Sequence, residues 1–439
     1  MLNRWLFTQI DNSALILFRI LFGVLLAIEA FGAILTGWVQ RTLIDPQFTF
    51  NFIGFEFLQP LPGNGMLWYY GIMGLFGLFV LVGFKYRLSI FIYGIMWASV
   101  YLMQKSAYNN HYYLLMLLCF LMLLLPAHRY LSYDAWKNPA IRKISMPRWC
   151  WLLLVLQMAI VYFYAAIAKI YPDWMDGSFI ELLMRGKESL WLIGDFLQQE
   201  WVHYAIAYFG FFFDLLIIPL LLYRKTRMPA FLASIFFHFF NSVVFRIGVF
   251  PYLALALVVF FFPAKKINTY FLWKKPFYEG NEVIVPNYKK PLVLFLGLWF
   301  LVQLALPLRH WFFRDDVLWT EEGHRLSWRM MLRSRGGKAT FMVVDKATGD
   351  TTYVEKEKYL TPKQLRSISS KPDMIWQFAQ HLEALYAAEG RQVEVYVDCR
   401  VSINGRPLKR LIDPKVDLAA EEWSHFSHSE WILPSPEAK

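Results

Sequence analysis

The chain has 439 residues, 57% of them hydrophobic and 19% aromatic, with a formal net charge of +11. So apolar a composition excludes an ordinary soluble domain and calls for several membrane spans. Residues 1–308 hold 24 Lys and Arg against 14 Asp and Glu, and residues 309–439 hold 20 against 19, so the basic excess follows the membrane part, and no charged stripe interleaved with aromatics points to nucleic acid.

The opening MLNRWLFTQIDNS runs into an apolar stretch with no small-residue cleavage site, which predicts a retained span. Measured against the ~20 residues a bilayer requires, nine candidate spans follow: 13–37, 66–83, 88–104, 111–126, 149–170, 203–223, 229–247, 249–263 and 291–308. The eighth is short, which leaves open a bent or re-entrant unit with its neighbour. The loops then sort by charge. FKYR, the 127–148 loop, YRKTR and the loop with Lys265, Lys266, Lys274, Lys275, Lys289 and Lys290 are basic. The intervening ones carry Asp45 and Glu56, or Asp173, Asp176, Glu181, Glu188, Asp195 and Glu200. Basic loops face the cytoplasm, so the N-terminus is expected there and residues 309–439 outside.

That tail reads as a small α+β domain following a polytopic all-α domain of residues 1–308. KATFMVVD and TTYVEK flank a DKATGD turn as strands, and QVEVYVDCRVSI runs into NGR, a hairpin signal. PDMIWQFAQHLEALYAAEG is an amphipathic helix closed by Gly390. Cys119, Cys150 and Cys399 lie too far apart in sequence to suggest a disulfide framework or a zinc site.

A charge at the bilayer centre costs at least ~2.5–3.5 kcal/mol, so each polar group within a span needs a reason. Lys169 ends the fifth span in YAAIAKIYPDW. His111 begins the fourth, in KSAYNNHYYL with Lys105, Asn109 and Asn110. His238 and Asn241 share one face of the seventh at i, i+3, with Arg246 beyond them. All fall at one depth, in the outer half. Taken singly, Lys169 can snorkel to the interface, His111 and its asparagines can cap a helix, and His238 can be a hydrogen-bonded packing residue. The shared depth favours a site. Arg19 and Asp214 are expected to pair with each other, and Glu29 has no obvious partner and is a candidate to face the pocket. The sequence shows no Gly-rich phosphate loop, HExxH or clustered Cys/His set, and GIMGLFG fits close helix packing. An amine, imidazoles and amides in a metal-free apolar pocket suggest proton transfer involving a small apolar molecule.

KSAYNNHYYL, FYAAIAKIYPDWMDG, FFHFFNSVVFRIGVF, LSWRMMLRSR and VSINGRPLKRLIDPKVDL, in this order, resemble the vitamin K-dependent γ-glutamyl carboxylases and their shorter bacterial relatives, the horizontally transferred transmembrane group. The resemblance extends from Arg19 to about Trp431. It implies an integral membrane enzyme that deprotonates reduced vitamin K with a lysine amine. Oxygen then adds, the quinone leaves as its 2,3-epoxide, and a strongly basic oxygen intermediate removes a γ-proton from a peptide glutamate. CO2 captures the carbanion. By matched position Lys169 is the initiating base and His111 a second catalytic group. Asn109, Asn110, His238, Asn241, Trp328, Met330 and Met331 are expected to bind the quinol and the glutamate. The implied cofactor is a menaquinol- or phylloquinol-type reduced vitamin K, with O2 and CO2 as co-substrates and no metal. The implied partners are the lipid bilayer and a secreted glutamate-containing protein or peptide. The short form implies a bacterial inner membrane. A lysine acting as this base has to be neutral, and burial among Ile160, Tyr164, Ile167 and Ile170 is expected to favour that form. Two departures stand out: Arg329 replaces an acidic residue of the animal enzymes and Arg333 a histidine. Quinol-dependent modification of another acceptor, and a non-enzymatic quinone- or lipid-binding role, are the alternatives.

Overall fold

The computed structural model describes residues 2–435. Lipid offers no partner to a backbone amide, so the apolar runs close into helices that satisfy their own hydrogen bonds. These are α1 (Ser13–Leu35), α2 (Gly65–Val82), α3 (Tyr86–Met103), α4 (Asn110–Leu124), α5 (Arg148–Ile167), α6 (Glu200–Leu222), α7 (Arg227–Val244), α8 (Phe250–Leu257), α9 (Ala264–Phe271) and α10 (Lys289–Leu308). All nine expected segments are helical. Seven are long and apolar enough to cross alone, and α8, continuing to Phe261 and bending by 116° into α9, makes with it a broken span or a re-entrant unit. The short eighth segment is thus joined to the helix that follows it. Pro263 stops the helix there because its ring removes an amide donor, and Lys265 and Lys266 sit in the first turn of α9. The α4 helix, at 15 residues, is the remaining short one.

Helices α1 and α2 approach closely through glycine. A Cβ on Gly77 would sit 2.8 Å from the Ala27 amide nitrogen, and one on Gly23 would meet the Leu81 backbone, whereas Gly71 faces open space. On the face of the bundle away from the C-terminal sheet, Gln9–Asp11 pairs with Ser145–Pro147, and Lys275 Nζ lies 2.7 Å from Asp11 Oδ2. Arg19 belongs to this side. Its guanidinium donates to the carbonyl oxygens of Ala127 (3.1 Å), Tyr130 (3.2 Å) and Leu131. The expected Arg19–Asp214 pair therefore does not form: the turn after α4 already supplies the acceptors a buried guanidinium needs.

Beyond α10 the chain forms an antiparallel sheet in the order β2–β1–β3–β4, from β1 (Arg335–Asp345), β2 (Thr351–Tyr353), β3 (Val393–Ile403) and β4 (Lys409–Arg410). The helices α11 (Pro362–Ile368) and α12 (Pro372–Ala388) complete it. Val393, Val395, Val397, Cys399 and Val401 are buried on one face of β3, and Phe341 meets Phe378 of α12 edge-on at 5.0 Å. The expected TTYVEK strand is shorter than read, ending at Tyr353. Gly390, at φ +78°, closes α12, and Asn404 and Gly405 make the turn between β3 and β4.

Ion pairs dock this sheet region on the helices. Asp373, at the start of α12, lies 2.7 Å from Lys105 and accepts two bonds from Arg325 at 2.6 and 3.2 Å. The Asn-Gly turn reaches Asp173, just past α5: Asn404 donates at 2.6 Å and Arg406 at 2.7 and 2.9 Å.

Candidate functional site

Lys169 lies two residues beyond the end of α5, where the chain turns. Its side chain folds inward instead of snorkelling. The residue is 6% exposed, and Nζ donates to the Ala165 carbonyl at 3.2 Å and pairs with Asp214 of α6. The Trp174 ring lies 5.2 Å from Nζ, held by its own Nε1 on the Ala207 carbonyl at 3.0 Å. The amine is thus enclosed by a carboxylate, an indole face and a helix end. The expected wall of Ile160, Tyr164, Ile167 and Ile170 is not its surrounding: Tyr164, Ile167 and Ile170 line a separate cavity, and Ile160 is packed in the bundle core. Past Ile167 the chain leaves the helix, and the Lys169 side chain reaches Asp214 and the Ala165 carbonyl.

Lys169 opens on a cavity of about 650 Å³ between the helices and the sheet region. Of the expected residues, His111, Asn109, Asn110, Asn241, Met330 and Met331 line it as well. His238 and Trp328 are not among its lining residues. His238 is fully buried a layer behind, its Nε2 3.0 Å from the hydroxyl of Tyr162, which does line the cavity. Trp328 stacks on Tyr113 at 4.9 Å. Asn109 is an N-cap, its Oδ1 accepting from the Tyr112 amide at 2.7 Å. Glu29 lies against Tyr112 and does not line the cavity.

One wall is apolar: Phe209 of α6 and Phe236, Phe237 and Phe240 of α7. Phe236 and Trp201 line the cavity yet are 62% and 61% exposed, so this wall reaches the lipid-facing surface of the bundle.

The opposite wall is the strap 321–333. Four of its non-glycine residues have positive φ: Glu321 (63°), Leu326 (63°), Trp328 (56°) and Met331 (49°). Such conformations cost ~1–3 kcal/mol each and persist where the surroundings fix them. Here the anchors are backbone contacts. Asn110 Nδ2 donates to the Arg329 carbonyl at 3.0 Å, the Leu326 amide donates to Tyr108 at 2.8 Å, and the Tyr171 hydroxyl bonds the Leu332 carbonyl. Asn110 therefore positions the strap.

The strap and α12 bring cations to the cavity: Arg325, Arg329, Arg333 and Lys371, with Glu321 and His324 among them. Burial would raise the Glu321 carboxyl, but Arg333, His324, Arg335 and Lys371 outweigh it and hold it below its usual range. Burial lowers the Lys371 amine to about 8, Arg325 adding to the effect and Glu321 opposing it. The sequence alone does not bring Asp214, Glu321, His324, Arg325 or Lys371 to this site. The excess of Arg in LSWRMMLRSR was the one sequence sign of this wall.

Two family profiles match the chain. The one described as HTTM domain covers residues 7–265. The one described as vitamin K-dependent gamma-carboxylase, lumenal domain covers residues 288–438. No solved structure matches it.

Proposed function

This chain belongs to the HTTM-domain, vitamin K-dependent gamma-carboxylase family, and from that premise we propose that it oxidises a reduced vitamin K-type quinol to the epoxide, with O2, and couples this to carboxylation of peptide glutamate by CO2. The observation that carries the reading is the Lys169–Asp214 pair at the edge of a cavity whose one wall faces lipid and whose other wall is cationic.

A quinol oxygen titrates near a phenol's pKa of ~10. An ammonium cannot take its proton, so the amine must first lose one. Asp214 is the acceptor in place: passing the proton from Nζ to the carboxylate gives a neutral amine beside a neutral acid, with no net charge created in a water-poor site. Lys169 then takes the quinol proton as a general base. His111, on the same cavity, is a second group able to hold or donate a hydrogen bond there. The phenylalanine wall suits a quinone ring and isoprenoid tail arriving from the bilayer. Its dryness protects reactive oxygen species from water. The acceptor peptide approaches from the sheet side, which the alternation of loop charge predicts to lie outside the cytoplasm.

The test uses the full chain in lipid with vitamin K hydroquinone, O2, labelled CO2 and a glutamyl peptide, alongside Lys169→Ala. Epoxide and label in the peptide, both absent from the variant, support the reading. Epoxide without label redirects it to another acceptor. Bound quinone with neither product leaves a binding protein, and epoxidation retained in the variant removes Lys169 from the chemistry.

A further inference from the structure

The charged side chains lining the cavity do not balance. Lys169 is matched by Asp214, Arg325 by Asp373 and Arg333 by Glu321. Arg329 and Lys371 form no ion pair among the described residues. Arg329 is 9% exposed, its Nε is buried without an acceptor, and its NH1 reaches His310 Nε2 at 3.4 Å, long for a hydrogen bond. A buried guanidinium with unmet donors is costly unless an acceptor arrives. Lys371 is only half-buried but likewise forms no ion pair among the described residues, so two uncompensated cations on this cavity call for an anion from outside the chain.

We propose that Arg329 and Lys371 form the receptor for the carboxylate of the acceptor side chain. This rests on the carboxylation reading and names which residues take its substrate. The chemistry fits the count. Removing a proton from the carbon next to a carboxylate places a second negative charge on the same few atoms, and adding CO2 to that carbon leaves a product with two carboxylates. One cation would suffice to bind the acceptor. Two match the dianion and the product, so the surplus stabilises the charge that develops during reaction. Arg329 offers a planar fork for a carboxylate, and Lys371 a point charge. The positive-φ strap supplies the first from its backbone position next to Met330, and the start of α12 supplies the second. Asn110 anchors the strap at Arg329 by donating to its carbonyl.

The test measures binding and needs no turnover. Two N-acetylated, C-amidated peptides differing only in Glu or Gln are bound to the full chain in lipid nanodiscs, so the side-chain carboxylate is the sole difference. The wild type is expected to prefer the Glu peptide by roughly tenfold or more, the worth of a charge-assisted bond. Arg329→Gln and Lys371→Gln are each expected to lose most of that preference, while Arg329→Lys and Lys371→Arg keep part of it and report that the protein still folds. Equal binding of the two peptides by the wild type, or a preference that survives both glutamine variants, overturns the proposal. A Glu preference that vanishes in the variants, in a chain that never oxidises quinol, upholds the carboxylate receptor and sinks the quinol chemistry alone.

Discussion

Lys169 has to be uncharged to act and is found beside a carboxylate that favours its charge. Substitution by arginine separates the two roles. A guanidinium still satisfies Asp214 but is not deprotonated in proteins, so Lys169→Arg should lower quinol oxidation by about a hundredfold or more, the worth of a general base. Its melting temperature in detergent should stay near wild type. Oxidation within tenfold of wild type would remove the base role. Lys371 makes a second prediction. Its amine, lowered to about 8 by burial, faces Arg325, Glu321, Arg333 and Asp373. Below that pH it is charged and can hold a carboxylate; above it the free site loses the charge. Affinity for a glutamyl peptide should therefore fall above pH 8 with a slope approaching tenfold per unit, and Lys371→Arg should flatten the profile. The partner of Lys169 shows where residue-level reading stops. Sequence gives depth along each helix, and depth put Lys169, His111 and Asn241 at one level, as the cavity lining shows. It gives no lateral neighbours, so Asp214 was assigned to Arg19 when the two lie on different sides of the bundle.

Helices depend on the same distinction between depth and contact. The apolar runs marked every membrane helix because their length is set by bilayer thickness. The bend after Phe261 and the contact between α1 and α2 depend on what packs against them. GIMGLFG gave a hint of that contact, but not which glycine makes it. Gly77 lies against the α1 backbone and Gly71 faces open space. Gly77→Val should cost ~1–3 kcal/mol by overpacking, read as a lowered melting temperature, with Gly71→Val near neutral. Equal effects would show that helix propensity, not close approach, governs both. The strap 321–333 was legible only as a motif. Apart from Gly323, its positive-φ residues are Glu321, Leu326, Trp328 and Met331, types whose turn chemistry announces nothing, and the strap's conformation depends on anchors from Tyr108, Asn110 and Tyr171.

Across the whole molecule, ionic contacts at Asp373 and Asp173 join sheet and helices, and the one at Asp373 is buried. Burial would raise the Asp373 carboxyl, but Arg325 and Lys105 outweigh it and hold it below the usual range, while burial lowers Lys105 to about 8. A carboxyl depressed in the folded state contributes stability above its unfolded pKa and loses it as pH falls through the folded value. On the acid side the joint should thus weaken only in strong acid, while above about pH 8 Lys105 loses its charge and Arg325 is left as the cationic partner of Asp373. Asp373→Asn leaves two buried cations without their anion, and should destabilise the protein by roughly 3–5 kcal/mol, measured by thermal unfolding at neutral pH. An unchanged melting temperature would show that the joint is dispensable. Alternating loop charge predicts that the sheet lies outside the cytoplasm. It could not show that Asp373 and Asp173 would be the residues to fasten it, since Lys105 and Arg406, which tie them across the joint, lie more than 200 residues away in sequence.

Phe236 and Trp201 belong both to the cavity and to the lipid-facing surface. A hydrophobic reactant using that opening is delivered by diffusion in two dimensions. The quantity that saturates the enzyme is then its mole fraction among surrounding amphiphiles, not its molarity in the tube. Adding empty micelles at fixed quinol should slow turnover as if substrate had been withdrawn, while leaving the dependence on a water-borne peptide unaltered.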